Sequence, residues 1–489
     1  MSRGDERWAH FRFSVIGGLL AAPPPQGELR TELQHLAAKL WRHPVTGAWV
    51  RYGLATLERW YYEAKQSPQD PVGALARKIR EDRGRHPSLS AALRSVLHRQ
   101  HQQHGSWSYQ LHHDNLAALV EQNTQLGPLP SYESVYRYMK ACGLFKRPRR
   151  GWGATAGVKA AEERFERLEV RSYEAEYVNA LWHLDFHGGS LKVILPDGTW
   201  VVPQLLGILD DYSRLCAHAQ WYLHETTENL VHGLRQGFQK RGLCRALMSD
   251  NGGAMIAGET TQGLLRLGIV HEKTLPYSPY QNGKQEVFWG QVEGRFLPML
   301  ENCKNLTLGQ LNEATQAWGE LEYNRKVHSE ITQTPLQRYL AGKDVGRRCP
   351  DDEMLRQAFT ASCSRAQRRS DGTITLEGVR FEVPSRYRHL PRLTVRYASW
   401  DLSQAYLADP RSGQVIGRMS PLDKQRNADG RRRTQAPLVN DGDAPVVEAE
   451  PDEAMAPLLR QLVAEYAVTG LPPAYLPKDE SLRHKEDAS

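Results

Sequence analysis

Two apolar, strand-like runs of this chain each end in an aspartate, and a third acid follows on a predicted helix. Asp185 closes the run Leu-Trp-His-Leu-Asp, and Asp250 closes the run Leu-Met-Ser-Asp. Glu286 lies on a helix predicted after the turn-forming stretch 276–283. A carboxylate at the end of an apolar strand is hard to explain by packing. The pattern predicts an α/β domain in which the strand ends and the helix bring these three acids to one site.

Three carboxylates at one site favour binding of hard cations, which take oxygen ligands in proteins. Two such ions about 3.5–4 Å apart stabilise the attacking and leaving oxygens of an in-line phosphoryl displacement. The predicted chemistry is the breaking and joining of phosphodiester bonds, with Asp185, Asp250 and Glu286 as catalytic residues. The same residues are predicted to bind two Mg²⁺ ions, for which Mn²⁺ can substitute. The alternative is three solvated surface acids that align by chance.

The order, spacing and flanks of these acids resemble the DDE transposase and retroviral integrase superfamily over about residues 178–340. Thirty-five residues separate Asp250 from Glu286, as in the D,D(35)E pattern, and Asp210-Asp-Tyr-Ser-Arg214 belongs to the resemblance. The resemblance implies an RNase H-like integrase catalytic core, here residues 179–342. It also implies 3′-end cleavage of DNA and strand transfer of a mobile element, and gives Asp210 and Asp211 packing and turn roles.

Between residues 181 and 290 the hydrophobic pattern predicts three strands, a helix, a strand and a helix, in that order. This order is expected of an RNase H-like fold. At the start of the Glu286 helix, Gln281 and Lys284 are candidate contacts to a bound DNA end. Their alternative role is to cap the helix.

The amino-terminal residues 1–70 are predicted to form a helix-turn-helix module that binds DNA. Helices over 28–41 and 54–65 are separated by the break 43–47, and Arg59 and Lys65 on the second helix are candidate DNA contacts. The alternative is a plain helical hairpin packed by Trp60, Tyr61 and Tyr62.

Residues 71–150 are predicted to form a second helical module, with helices over 88–104, 111–122 and 132–142. Ser131 is the predicted N-cap of the last helix. A basic arm follows, whose candidate DNA contacts are Lys146, Arg147, Arg149 and Arg150. Five histidines between 98 and 113 lack partner cysteines and are expected to face solvent in part, so no zinc site is predicted. Residues 151–178 are a predicted linker to the catalytic core.

Residues 364–435 alternate in period two and predict five short strands in a small β-barrel. This barrel resembles the carboxy-terminal domain of the Mu and Tn7-like large transposase group. A basic surface for phosphates is expected on the arginines Arg386, Arg388, Arg392, Arg396 and Arg431–Arg433. A solvated barrel without a DNA role is the alternative.

Residues 436–489 are predicted to be an acidic, flexible tail with a short amphipathic helix over 456–466. The resemblance to the Mu and Tn7-like group implies that residues 457–476 engage an AAA+ ATPase. The alternative is a helix that docks on the protein's own core.

Composition narrows the class of partner. A net charge of +7 and a pI near 9.0 favour nucleic acid. The six cysteines form no CxxC pair, which argues against a disulfide framework and a thiolate zinc site. The sequence has no run of 18 apolar residues, so no membrane span is predicted. We expect a cytoplasmic, nucleoid-associated bacterial protein with no membrane contact.

The expected partners are double-stranded DNA, as element ends and as target, and further copies of this chain on paired ends. Two rival functions are a non-catalytic DNA-binding regulator derived from a transposase and an RNase H-like nuclease.

Overall fold

The computed structural model describes residues 3–76, 86–147, 174–274, 283–428 and 454–469. They belong to two compact units, Met1–Ser88 and Leu89–Ser489. The turn-forming stretch before Glu286, most of the predicted linker and the acidic segment of the tail lie outside the described residues. None of the helices in the described ranges combines the length and the hydropathy needed to cross a membrane.

The first unit contains four helices and one short hairpin. They are α1 (Arg3–Ala21), α2 (Leu29–Ala38), β1 (Trp41–Arg42), β2 (Trp49–Val50), α3 (Leu54–Lys65) and α4 (Pro71–Ala74). The break predicted between the second and third helices is a β-hairpin rather than a tight turn, because Gly47 adopts a φ of 70° and lets the chain reverse. Trp60 and Tyr61 are buried in the core of this unit, as the hairpin alternative expected, whereas Tyr62, which it also expected to pack, is 44% exposed.

The second unit begins with three helices, α5 (Ala91–Gln103), α6 (Tyr109–Gln122) and α7 (Tyr132–Ala141). Each helix has a serine N-cap whose hydroxyl accepts a hydrogen bond from a backbone N–H in the first turn. The predicted Ser131 cap is therefore confirmed. Gly143, with a φ of 70°, follows α7 where the sequence predicts its end.

The histidines of these helices are mostly buried, so the expectation that several face solvent is wrong. His101, His104 and His112 are less than a tenth exposed. His101 Nε2 lies 2.9 Å from the Phe145 carbonyl, and His104 Nδ1 lies 3.0 Å from a carboxylate oxygen of Glu301. These contacts join the helices to each other and to the segment around Glu301, which sequence periodicity alone does not reveal.

Residues 181–273 contain a five-stranded sheet. Its strands are β3 (Leu181–Gly188), β6 (Gln204–Asp210), β7 (Cys216–Tyr222), β8 (Ala246–Ser249) and β9 (Val270–Lys273), and a hairpin of β4 (Val193–Ile194) and β5 (Trp200–Val201) follows the first strand. The order across the sheet is β7-β6-β3-β8-β9. Neighbours β7, β6 and β3 are antiparallel, whereas β3, β8 and β9 are parallel. The predicted order of three strands, helix, strand and helix is confirmed, and β9 is an addition.

Helices cover both faces of this sheet. They are α8 (Thr227–Arg241), α9 (Gly253–Ile256), α10 (Gly258–Arg266), α11 (Gly283–Gln291), α12 (Leu308–Ala317), α13 (Pro335–Ala341) and α14 (Asp352–Ala358). On one face, Trp182 and Leu184 of β3 pack in a core cluster with Phe238 of α8. On the other face, α11 packs on β3 and α12 packs on β7. Because side chains alternate along a strand, His183, Asp185 and His187 share the face covered by α11.

The carboxy-terminal sheet has six strands rather than the predicted five. They are β10 (Ala361–Ala366), β11 (Thr373–Leu376), β12 (Val379–Glu382), β13 (Arg392–Ala398), β14 (Asp401–Ala408) and β15 (Val415–Pro421), followed by α15 (Lys424–Asn427). The order is β10-β13-β14-β15-β12-β11, and its two edge strands approach each other, so that the sheet nearly closes. The additional strand, β10, has no large apolar residue that could have predicted it.

Arg396 does not contribute to a basic barrel surface as predicted. It is buried, and its guanidinium donates to the carbonyls of Gln357 and Gly413 and to the hydroxyl of Thr360. Each of its three nitrogen atoms donates to a group inside the protein, so the side chain is directed away from a surface phosphate. Arg431–Arg433 lie outside the described residues.

The amphipathic stretch of the tail forms α16 (Pro457–Val468), which docks between α6 and α12 of its own unit. Leu459, Leu462, Val463 and Tyr466 are buried there in the same core cluster as α12. The Leu458 N–H donates to Asn115 Oδ1 at 3.0 Å, and Gln461 Nε2 donates to a carboxylate oxygen of Glu121, also at 3.0 Å. The alternative of a docking helix is confirmed, and the apolar face predicted to engage an ATPase is used within the chain.

Candidate active site

Asp185 lies inside β3, three residues before its end, and Asp250 follows the last residue of the neighbouring parallel strand β8. The prediction that Asp185 ends its strand is therefore wrong, because the strand continues to Gly188 in its pairing with β6. The last pair in the register of β3 and β8 is His183 with Met248, two residues before each aspartate. Adjacent strands lie about 4.8 Å apart, so the two side chains emerge close together at one edge of the sheet. The structure therefore brings together the first two of the three predicted acids.

The environment of Asp185 disfavours its charged form. Burial first, and then the charge of Asp250, raise the pKa of Asp185 to about 7. The indole N–H of Trp289 on α11 points at Asp185 Oδ2 across 3.4 Å. Two carboxylates that repel each other in a half-buried position are a costly arrangement, and a bound cation would relieve that repulsion.

Asp250 is exposed just beyond the end of β8, and its Oδ1 accepts a hydrogen bond of 3.0 Å from the Gly252 N–H. A second carboxylate lies beside it. A Cβ placed on Gly252 would be 2.8 Å from Glu225 Oε1 and 3.1 Å from Asp250 Oδ1. Burial and the charge of Asp250 raise the pKa of Glu225. Sequence reasoning missed Glu225, although its position shortly after the apolar strand β7 resembles that of the two aspartates.

Glu286 lies in the first turn of α11 and is exposed. It precedes Trp289 by three residues, so the two side chains share a face of the helix. Trp289 reaches Asp185, whereas Glu286 is exposed to solvent. Within the described residues, however, no group of three or more histidine, cysteine or acidic side chains is arranged to hold a metal ion. The structure places Glu286 on the covering helix without closing a three-residue cluster.

A glycine lets α11 approach the sheet closely. Gly207 of β6 pairs with Asp185 of β3, and its carbonyl accepts a 2.8 Å hydrogen bond from Gln285 Nε2. A Cβ on Gly207 would lie 2.5 Å from the Trp289 ring and 3.0 Å from Gln285 Nε2. Since real Cβ atoms do not approach so closely, any larger residue would push α11 away. Gly207 and Trp289 are contributors to the site that sequence patterns did not single out.

His187 of β3 carries a further contact to the same helical segment. Its ring stacks on Trp289 with centroids 5.0 Å apart, and its Nε2 lies 3.2 Å from Glu293 Oε1. Glu293 Oε2 also accepts a hydrogen bond of 2.5 Å from the Ser190 hydroxyl. These contacts hold the indole of Trp289 beside Asp185.

The motif Asp210–Arg214 is divided between a turn and a charge network. Asp210 is buried, and its carboxylate accepts hydrogen bonds from the Ser213 N–H and hydroxyl and from the Asn179 N–H. The predicted turn role of Asp210 is therefore confirmed. Asp211 has an additional role beyond the predicted turn, because its carboxylate contacts His183 Nε2 at 2.6 Å and the ammonium group of Lys284. These interactions with His183 and Lys284 hold the pKa of the Asp211 carboxyl well below its usual range, against the effect of burial.

The predicted DNA contacts fall in several places. Arg59 and Lys65 are exposed on α3 of the first unit, and Lys146 and Arg147 are exposed after α7 in the second. The backbone N–H of Arg147 donates to the Gly105 carbonyl at 2.7 Å. Lys284 is in an ion pair with Asp211, and its side chain is only 15% exposed. Arg149, Arg150 and Gln281 lie outside the described residues.

Comparisons with known proteins give structural neighbours of low similarity. The chain is similar to the HTLV-2 integrase catalytic core domain in complex with magnesium, with 19% identity and a TM-score of 0.27, over 33% of this chain and 97% of that one. It is similar to the BIV integrase catalytic core domain, with 22% identity and a TM-score of 0.26, over 33% and 94%. It is also similar to a simian T-cell lymphotropic virus intasome in complex with PP2A regulatory subunit B56 gamma, with 15% identity and a TM-score of 0.30, over 62% of this chain and 95% of that one.

No family model and no curated protein matches the chain. At identities and TM-scores this low, the functional assignment depends on the geometry of the chain's own residues.

Proposed function

We propose that this protein is a DDE-type transposase, which cleaves DNA at the 3′ ends of a mobile element and joins those ends to target DNA. One observation carries the proposal. It is supported by Asp185 in β3 and Asp250 just past the end of the neighbouring parallel strand β8, where the charge of Asp250 helps to raise the pKa of Asp185, and by the packing of α11, which bears Glu286, on β3. The sequence spacing of the three acids is consistent with this arrangement.

The residues at this edge of the sheet fit divalent metal ions. Their donor atoms are carboxylate oxygens, which Mg²⁺ prefers. Burial and then the charge of Asp250 raise the pKa of Asp185, and a cation would offset both effects. Asp185, Asp250 and Glu286 would hold two Mg²⁺ ions, with Mn²⁺ as a substitute. Such ions supply activation of a water or a 3′-hydroxyl and stabilise the leaving oxygen.

The chain's own residues shape the site around these acids. Trp289 contacts Asp185 and covers it from the α11 side, and Gln285 ties the first turn of α11 to the Gly207 carbonyl. These contacts hold Glu286 over β3 and keep part of Asp185 out of water. Because the reaction needs its acids held to within about 0.5 Å, a rigid helix on a rigid sheet suits this purpose.

DNA binding in the proposed function involves exposed cations on both units. Arg59 and Lys65 lie on α3, Lys146 and Arg147 lie after α7, and the whole chain carries a net charge of +7. We propose assembly of several copies on paired element ends. The apolar face of α16 is buried in the chain's own core, so it is not free to bind an ATPase.

The decisive experiment is strand transfer in Mg²⁺, with labelled DNA that carries the repeats flanking the gene and a supercoiled target. Glu286→Gln should abolish joined product, because it removes one charged oxygen ligand, while DNA-end binding stays unchanged. Glu272→Gln is the matched control, since Glu272 is an exposed acid on β9 of the same sheet. It should keep wild-type activity.

Three results would change the assignment. Joined product from Glu286→Gln would remove Glu286 from the site. Specific binding to the repeats with no product from the wild type would favour the regulator. Cleavage of RNA–DNA hybrids in place of the repeats would favour the nuclease.

A further inference from the structure

A buried ion pair links the sheet to the first turn of α11. Lys284 Nζ contacts Asp211 Oδ1, and the carboxylate of Asp211 is fully buried while the Lys284 side chain is 15% exposed. The same carboxylate contacts His183 Nε2 at 2.6 Å and accepts the Ala175 N–H at 2.6 Å. Asp211 therefore holds a histidine of β3 and a lysine of α11 at once.

The members of this network stand next to the proposed catalytic acids in sequence. His183 precedes Asp185 by two residues on β3, so both side chains emerge on the same face of the sheet. Lys284 precedes Glu286 by two residues in the first turn of α11. The carboxylate of Asp211 thus connects the two elements that carry the first and the third acid.

The position of Lys284 is not one that helix electrostatics favours. The amino-terminal turn of a helix carries a partial positive charge, so a lysine there is unfavourable unless an anion offsets it. Asp211 is that anion. A buried carboxylate deprived of its cationic partner would in turn be strongly destabilised, so each group depends on the other. A lysine that reaches inward to this carboxylate is also turned away from DNA at the surface.

We infer that Lys284 is a positioning residue, which, through Asp211 and His183, fixes the first turn of α11 on the sheet and so the position of Glu286, which lies in that turn. This inference rests on the proposed function for the role of Glu286. It differs from a phosphate contact by Lys284 in one respect that can be tested. A positioning role requires that loss of Asp211 has the same consequence as loss of Lys284.

The test compares Lys284→Met, Asp211→Asn and the double variant in the full chain, with Lys273→Met as the control at an exposed lysine of β9. Hydrogen exchange of the α11 amides is measured without metal or DNA, followed by the affinity for element ends and the strand-transfer rate. We expect each single variant to exchange α11 at least about tenfold faster, because it removes a hydrogen bond to a charged group. Strand transfer should fall about 100-fold at unchanged DNA affinity, and the double variant should be no worse than the worse single one.

The outcomes separate the two ideas. Weaker DNA binding by Lys284→Met, with α11 exchange at the wild-type rate, would overturn the positioning role, as would independent, additive effects of the two substitutions. If Asp211→Asn does not fold, Lys284→Met alone decides between faster α11 exchange and weaker DNA binding. If wild type itself yields no product while the exchange of α11 still depends on both residues, the proposed reaction fails and the structural link stands.

Discussion

Replacing Gly207 with alanine tests whether the close approach of α11 to the sheet builds the site. The added Cβ would lie 2.5 Å from the nearest ring atom of Trp289 and 3.0 Å from Gln285 Nε2. Carbon atoms in contact normally lie about 3.5–4.0 Å apart, so α11 or its indole must move by about 1 Å. The movement would strain the Gln285 hydrogen bond to the Gly207 carbonyl and the Trp289 contact with Asp185.

We expect Gly207→Ala to lower the free energy of unfolding by about 1–3 kcal/mol, the usual cost of overpacking a core. Strand transfer should fall by about 100-fold, since a shift of this size misplaces Glu286 relative to Asp185. Urea unfolding gives the first quantity and the rate of product formation in Mg²⁺ gives the second. DNA-end binding should be unchanged, because Gly207 is part of the inner sheet.

The matched control is Gly290→Ala on α11 itself. A Cβ on Gly290 meets nothing within 4 Å, so this substitution should stabilise the helix by about 0.5–1 kcal/mol and leave activity at the wild-type level. If Gly207→Ala kept both the free energy of unfolding and the strand-transfer rate of the wild type, the close packing of α11 against Gly207 of β6 would not determine the position of Glu286.

Two further predictions concern the acid pair and the tail. In EDTA and above pH 7, Asp185→Asn should have a free energy of unfolding about 2–4 kcal/mol higher than the wild type. The reason is that Asp185 has a pKa of about 7 in the folded protein but near 4 in the unfolded chain, so above pH 7 its ionisation destabilises the folded state. This advantage should shrink as pH falls from about 7 to 4 or when Mg²⁺ is added, and a pH-independent difference in thermal melts would contradict it. Leu459→Ala should cost about 2–4 kcal/mol in urea unfolding, since Leu459 is fully buried, whereas Val468→Ala, at an 88% exposed position of the same helix, should cost almost nothing. Equal stability of these two variants would mean that α16 is not docked.

Local sequence patterns determined where the acids stand along the chain. The apolar runs before Asp185 and Asp250 form strands that pair as neighbours, and the predicted order of strands and helices is confirmed. Ser131 caps its helix because the signal lies within three residues of the hydrogen bond that it makes. Alternation also predicted five of the six strands of the carboxy-terminal sheet. Apart from the pairing of β3 with β8, each of these features depends on residues that are close in sequence.

The predictions that were wrong concern long-range contacts. Arg396 was expected at the surface, but it donates to Gln357, which lies on another element. The buried histidines were expected to face solvent because the sequence does not show what packs against them: the partner of His104, Glu301, lies almost two hundred residues away, and that of His101, Phe145, lies on another segment. Periodicity shows that a helix has an apolar face and does not show what covers that face.

The amino-acid sequence by itself determined that three acids, two after apolar runs and one on a helix, follow each other with 64 and 35 residues between them. Only the tertiary structure decided what surrounds them. It seats α11 against Gly207, turns Lys284 inward to Asp211, and covers α12 with the tail helix. The physical reason is that secondary structure follows from local hydrogen bonding and alternation, whereas ion pairs, close approaches and docked faces depend on which distant segments the fold brings together.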